Sequence, residues 1–274
     1  MRVELAYGHT GLELELPDDA SVTLIEPNYV PGLPDEQGAI LRALHAPLGT
    51  PALRELAQPV DTVAIVFSDL TRPMPNERVL PPLLTELEAA GVPDDQIVLV
   101  NGLGTHRPQT TAELRGMLGD ELVQRYRIVQ HDAQDQKNLV EVVPNRVGRM
   151  VRVNRAYMAA SVRILTGFIE PHLFAGFSGG PKAVLPAIAD LDAILDNHSP
   201  AMLAQRNATW SQTTGNPAWE EMLSIAQSTR PDLILNVALN RDRQITGVFA
   251  GDLAQAHRQG VAFVQRTAMQ PVPH

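Results

Sequence analysis

Val60-Asp61-Thr62-Val63-Ala64-Ile65-Val66-Phe67 closes on an unbroken apolar run, and the polar cluster Ser68-Asp69-Leu70-Thr71-Arg72-Pro73 follows it at once. A strand with one wet face alternates polar and apolar residues. Apolar residues at consecutive positions mark a strand buried on both faces, as in a parallel sheet covered by helices. Comparable runs recur at Ile97–Val100, Arg163–Thr166 and Leu233–Leu239, with weaker strand signals at 127–130, 140–143, 150–153 and 244–249. Helical signals fall between them. Asn76 is placed to cap a helix to about Ala90, and Thr110/Thr111 one to about Tyr126. Further helices are expected at 181–188, 191–197 and 216–227, and Asp252 opens a last one to about Arg266. Strands alternating with helices at these spacings predict an α/β fold, a mostly parallel, Rossmann-like sheet with helices on both faces.

Upstream the pattern differs. Val3–Tyr7 and Leu12–Leu16 alternate around Gly8-His9-Thr10-Gly11, which predicts an N-terminal β-hairpin with one face buried. Pro27–Gly38 reads as a connection, and Gly38–Leu44 as the beginning of a short helix. The expected organisation is one unit over 1–274, with a β-rich segment at 1–58 and an α/β core at 59–268.

Composition narrows the function classes. The 274 residues are 44% hydrophobic, enough for a substantial core, and carry a formal net charge of −9 with 4% aromatic residues. Nucleic-acid binding needs a basic surface and aromatic platforms, so no nucleic-acid partner is expected. No apolar run approaches the ~18 residues of a membrane helix, and the N-terminus has no signal-peptide pattern. These features predict a cytoplasmic protein without a membrane partner. Absence of cysteine excludes disulfides and thiolate metal ligands.

Three polar clusters follow predicted buried strands: Ser68–Pro73, Asn101-Gly102-Leu103-Gly104-Thr105-His106-Arg107, and Gly167–Lys182. Ligands of open α/β sheets bind beyond the carboxyl ends of the strands. If the three strands are parallel neighbours, Asp69, Arg72, His106 and His172 meet in one crevice. In Phe174-Ala175-Gly176-Phe177-Ser178-Gly179-Gly180-Pro181-Lys182, Ser178 reads as a helix cap, with Gly179 and Gly180 allowing close backbone approach. Such a helix start favours an anion, usually phosphate. The stretch is not a Walker A motif, and a tight turn with a solvated lysine is an equally simple reading. His106 and His172 suit proton transfer near neutrality, although either is as readily a structural residue. Arg72 offers a planar fork to a carboxylate or phosphate, with Asp69 orienting it or a neighbouring histidine. His198 ends a predicted helix, where it also suits the helix dipole. No histidine pair has metal-ligand spacing, so a metal here would draw most of its ligands from something other than nearby side chains.

Taken together, S-D-L-T-R-P, N-G-L-G-T-H-R, G-F-I-E-P-H-L-F-A-G-F-S-G-G-P-K and D-N-H resemble, in order and spacing, the motifs of the nickel-pincer lactate racemase family of 2-hydroxyacid racemases and epimerases. The resemblance implies a covalent cofactor, a nickel-pincer nucleotide (a pyridinium-3-thioamide-5-thiocarboxylate mononucleotide holding Ni), joined through a thioamide to Lys182, with His198 as the protein ligand to nickel. It implies His106 and His172 as the acid/base pair for hydride shuttling between mirror-image 2-hydroxy acids such as lactate. Arg72, supported by Asp69, would hold the substrate carboxylate. Thr71, Ser178, Gly179 and Gly180 would contact the cofactor phosphate. It further implies cofactor-biosynthesis enzymes as partners and a second, C-terminal α/β domain that closes the cleft; the sequence reaching Met269–His274 is expected to lack that domain. Two alternatives are a stand-alone domain that carries the nickel cofactor without turnover, and a nucleotide-binding α/β enzyme. The latter lacks the G-x-G-x-x-G signature.

Overall fold

A computed structural model describes residues 1–5, 7–8 and 10–270. In chain order they form β1 (Arg2–Leu5), β2 (Leu12–Glu15), α1 (Glu36–His45), α2 (Leu53–Leu56), β3 (Val63–Ser68), α3 (Asn76–Ala89), β4 (Ile97–Gly102), α4 (Thr111–Leu118), α5 (Asp120–Arg125), β5 (Arg127–Gln130), β6 (Leu139–Pro144) and β7 (Met150–Asn154). There follow α6 (Arg155–Ala159), β8 (Val162–Phe168), β9 (Pro171–His172), β10 (Gly176–Phe177), α7 (Leu191–Asn197), α8 (Pro200–Leu203), α9 (Pro217–Ser228), β11 (Leu233–Leu239), β12 (Ile245–Gly251) and α10 (Leu253–Ala268).

The main sheet has six strands in the order β12-β11-β8-β3-β4-β5. β3 lies between β8 and β4 and is parallel to both, with Val63 opposite Val162 and Ile97. β12 alone runs antiparallel, on the edge beside β11. Strand parity separates two cores. Val63, Ile65 and Phe67 join Ile40, Leu44, Leu80, Leu83 and Leu114 of α1, α3 and α4. Ala64 and Val66 face the other way, with Tyr157, Ile188, Ile194, Met222 and Ile225. Apolar side chains at consecutive positions thus serve two helical layers, as the run at 63–67 predicts.

Several sequence expectations are corrected. The N-terminal hairpin forms, with Val3 opposite Leu14, but nearly all its described residues are exposed because, among the described residues, no element covers either face. Ala6 and His9 of that predicted hairpin, and residues 271–274, lie outside the described residues. Among the described residues of segment 1–58 the strands are confined to the hairpin, with a single bridge from Leu48 to Gly251 besides; α1 and α2 put Ile40, Leu44 and Leu53 into the core. Asn76 does not cap α3: it is the first helical residue, and its Nδ2 donates to Ser68 O at 2.9 Å. The helix expected over 110–126 divides at Gly119, whose φ of 82° is left-handed. Thr110 caps its first half in a reciprocal arrangement with Glu113. β6 and β7 form a two-stranded sheet of their own, outside the main sheet, with one further bridge from Val153 to Ala189. The helix expected at 181–188 is a single 3-10 turn, Gly180–Ala183, since Pro186 removes an amide donor that a longer helix would need.

Candidate active site

Because β8, β3 and β4 are parallel neighbours, the loops after them share one end of the sheet and enclose a cleft of about 230 Å³. Asp69 and Arg72 reach it from β3, His106 from β4, and Glu170, His172, Ser178, Gly179 and Lys182 from β8; His198 comes from the end of α7. The condition that the sequence left open is met.

Asp69 is 2% exposed, and its Oδ2 lies 2.6 Å from His106 Nδ1. The Thr71 hydroxyl donates to the same carboxylate, at 3.0 and 3.2 Å to its two oxygens. Arg72 Nε stands 3.9 Å away, so of the two partners considered for Asp69 the histidine is the closer. A carboxylate accepts, so Nδ1 of His106 carries the proton and Nε2 keeps a lone pair. The opposite holds for His172. Its Nδ1 accepts the Ala175 backbone N–H at 3.2 Å, so the neutral ring is protonated at Nε2. In His198 the Nδ1 donates to Ile194 O at 3.0 Å, leaving Nε2 with a lone pair.

Phe174 separates the last two rings, edge-on to His172 and to His198 with centroids 4.9 Å apart in each case. Lys182 Nζ lies 6.0 Å from the centroid of the same phenyl ring. Burial, with Arg72 adding repulsion, pushes the Lys182 amine down to about 7. Burial also pushes His172 down to about 3, reinforced by Lys182, Arg72 and His198. His198 is lowered by burial and then by Lys182, against the opposing bond to Ile194. Glu170, at the cleft edge, is raised by burial and partly restored by Arg72. Arg72 and Lys182 bring two cationic groups to the cleft, where an anionic ligand could meet them.

The glycine-rich turn differs from expectation. Gly179, not Ser178, holds the cap position; the Ser178 hydroxyl donates to Phe168 O and accepts from Glu170 N–H, both at 3.0 Å. Gly180 N–H is spent on Asn236 Oδ1 at 2.7 Å, so this four-residue turn does not present a free helix start to an anion. Gly179 has φ 76°, and a Cβ there would lie 2.8 Å from Asn236 Oδ1 and 2.9 Å from Phe168 O, so only glycine fits. Among the described residues no three His, Asp or Glu side chains are grouped to hold a metal ion. Glu170, Phe174, Asn236 and His257 escaped the sequence reading. Asn236 had a visible signal, a lone amide inside the apolar strand 233–239.

The profile of the lactate racemase N-terminal domain family matches residues 7–211. The lactate racemase of Thermoanaerobacterium thermosaccharolyticum is 32% identical over 269 residues, covering 97% of this chain and 63% of that protein. That of Lactiplantibacillus plantarum is 36% identical over 236 residues, 86% of this chain and 55% of its own length. The chain therefore spans somewhat under two thirds of the length of these relatives. The lactate racemase apoprotein structure from T. thermosaccharolyticum superimposes with a TM-score of 0.88 at 31% identity, over 97% of this chain and 63% of that one. A Thermotoga maritima protein shares the fold, with a TM-score of 0.69 at 19% identity, over 89% and 61% of the two chains. On this match the chain belongs to the lactate racemase N-terminal domain family.

Proposed function

We propose that this chain is the cofactor-bearing catalytic part of a racemase or epimerase acting on a 2-hydroxy acid such as lactate. The observation that carries the reading is the opposite protonation of two imidazoles on one cleft, a lone pair at Nε2 of His106 and an N–H at Nε2 of His172. Inverting a hydroxyl-bearing carbon needs one group to take the hydroxyl proton and another to return it, and the reverse reaction exchanges the roles. His106 has the free lone pair to accept that proton; His172 offers a hydrogen bond from Nε2–H while neutral and would return a proton only in its charged form. Asp69 holds the His106 tautomer and would stabilise its charged form. Arg72 presents its guanidinium to the substrate carboxylate.

The chain's residues fit the lysine-linked nickel-pincer nucleotide that the family resemblance implies. An amine that loses its proton near neutrality is a nucleophile, which suits Lys182 to covalent attachment. His198, with Nδ1 tied to a backbone carbonyl and Nε2 free, has the arrangement of a metal-bound imidazole. Gly179, on the cleft wall, remains a phosphate contact in this reading, whereas the Ser178 hydroxyl is already spent on Phe168 O and its N–H on Glu170 O. Gly180 and Thr71 are set aside, their N–H and O–H being committed to Asn236 and Asp69. When bound, the group supplies a hydride acceptor. Attachment also removes the charge at Lys182 Nζ, and a carboxylate on Arg72 offsets a second cation. Both cations add to the depression of His172 that burial begins, so loading and filling the site relieves that added part and leaves the part due to burial.

Mass spectrometry of protein produced together with the cofactor-making enzymes tests the reading. The expected result is an adduct on Lys182 with nickel retained; unmodified Lys182 without nickel sinks it. Lactate racemisation, assayed with and without a separately supplied C-terminal domain, distinguishes catalysis from cofactor carrying.

A further inference from the structure

The turn that delivers Lys182 is held from beneath by two side chains to which no role has been given. Asn236 sits in β11 opposite Gly167 of β8 and is 0% exposed. Its Oδ1 accepts the Gly180 N–H, which fixes the amide's orientation; its Nδ2 is buried without a partner, a cost that an apolar side chain would avoid. His257 sits in α10 and is 1% exposed. Its Nε2 donates to Ser178 O at 2.9 Å, and its ring stacks on Trp219 of α9 with centroids 5.8 Å apart. The imidazole also lies so close under Gly180 that a Cβ there would approach its Cδ2 to 2.5 Å. Both backbone groups that the clamp holds lie within four residues of Lys182, and both clamping residues arrive from 56 and 79 positions away.

We propose that Asn236 and His257 are positioning residues for Lys182, pinning the Ser178–Gly180 turn so that the amine is held at the base of the cleft and ready to be acylated. The proposal rests on the reading of Lys182 as the attachment point. An apolar pair would pack the same space, but it would leave Gly180 N–H and Ser178 O without partners and the turn free to swing.

The test uses a feature of the sequence: the chain has two lysines, Lys137 and Lys182, against twenty arginines. Lys137 is exposed and serves as an internal reference. Unmodified protein is treated with potassium cyanate between pH 6 and 10, and carbamylation of each lysine is followed by peptide mass spectrometry. Asn236→Ser and His257→Asn withdraw one clamp contact each; His257→Gln restores a donor at the reach of Nε2. Trp219→Phe loosens the packing on the His257 ring and leaves both clamp hydrogen bonds in place. The expected result is a fall of tenfold or more in the Lys182:Lys137 rate ratio at pH 7 for the first two. His257→Gln and Trp219→Phe should stay within threefold of the unsubstituted protein. An unchanged ratio in the first two, or an equal fall with His257→Gln or Trp219→Phe, overturns the proposal. If the clamp variants do not fold, amide exchange in the unsubstituted protein decides. Gly180 N–H should exchange slowly, and exchange at the rate of an open loop overturns the proposal. Neither nickel nor nucleotide enters these assays, so failure of the racemase reading and failure of the clamp are separate results.

Discussion

Lys182→Met should make the unloaded protein more stable at pH 7, by an amount that shrinks as the pH rises. The Lys182 amine falls from 10.5 to about 7 on folding. At pH 7 the unfolded chain holds that proton almost fully while the folded chain holds it half the time. The resulting penalty on folding is about 4 kcal/mol, at 1.36 kcal/mol per pKa unit. Between pH 7 and 10.5 the unfolded state binds more protons, so stability rises with pH across this window. At pH 9 the penalty has dropped to about 2 kcal/mol. Methionine keeps the apolar stem and removes the charge, so its advantage over lysine narrows by about 2 kcal/mol from pH 7 to pH 9. Titrating groups that do not feel Lys182 cancel in the difference between the two proteins, and His172 and His198, which do, are held below their ordinary range and stay uncharged across pH 7–9. For a chain of this size the narrowing corresponds to roughly 4–8 °C in Tm. Urea or thermal unfolding of both proteins at both pH values measures it. An advantage that stays constant, or grows with pH, refutes the assignment of a buried, readily deprotonated amine.

Asp69→Asn should lower turnover of the cofactor-loaded protein by about 10²–10⁴-fold with little change in KM, because the neutral amide no longer enforces Nδ1–H on His106 or stabilises its charged form; steady-state kinetics reads the split. Gly179→Ala should cost at least about 2 kcal/mol in urea unfolding, from left-handed backbone and from contact with Asn236 Oδ1 and Phe168 O. Glu86 is buried, which raises its carboxyl, yet Arg54 and His45 together bring it below its usual range. That contribution is present above the unfolded value and lost as pH falls through the folded one, so Arg54→Met should lower the urea midpoint at pH 7 and lower it less at pH 3.

The strands with apolar residues at consecutive positions were legible, since 63–67 and, apart from Asn236, 233–239 read as buried on both faces. Their adjacency was not, because nothing in the run at 63–67 names Ile97 and Val162 as the partners of Val63. The site residues were visible as polar clusters at strand ends, but their pairing was not. Asp69 was left between Arg72 and a histidine, and only the 2.6 Å contact decides for His106. The exposed hairpin misled because alternation signals a face that could be buried, not an element that buries it. The helix expected from 181 began, whereas Pro186, five residues on, stopped it. His257 gave no local sign at all: its partner is a backbone carbonyl 79 residues away.

The parity of β3 reaches beyond packing. Odd positions answer to one helical layer and even positions to the other, so the sheet works as a partition between two neighbourhoods with separate tolerances. The cleft, the turn carrying Lys182 and the clamp beneath it belong largely to the even side. Drift at Ile65 or Leu80 can be absorbed among α1, α3 and α4 while the chemistry stays in place; a change of volume at Val66 has no such outlet. Across relatives, compensating substitutions should therefore cluster within a parity class and rarely cross it.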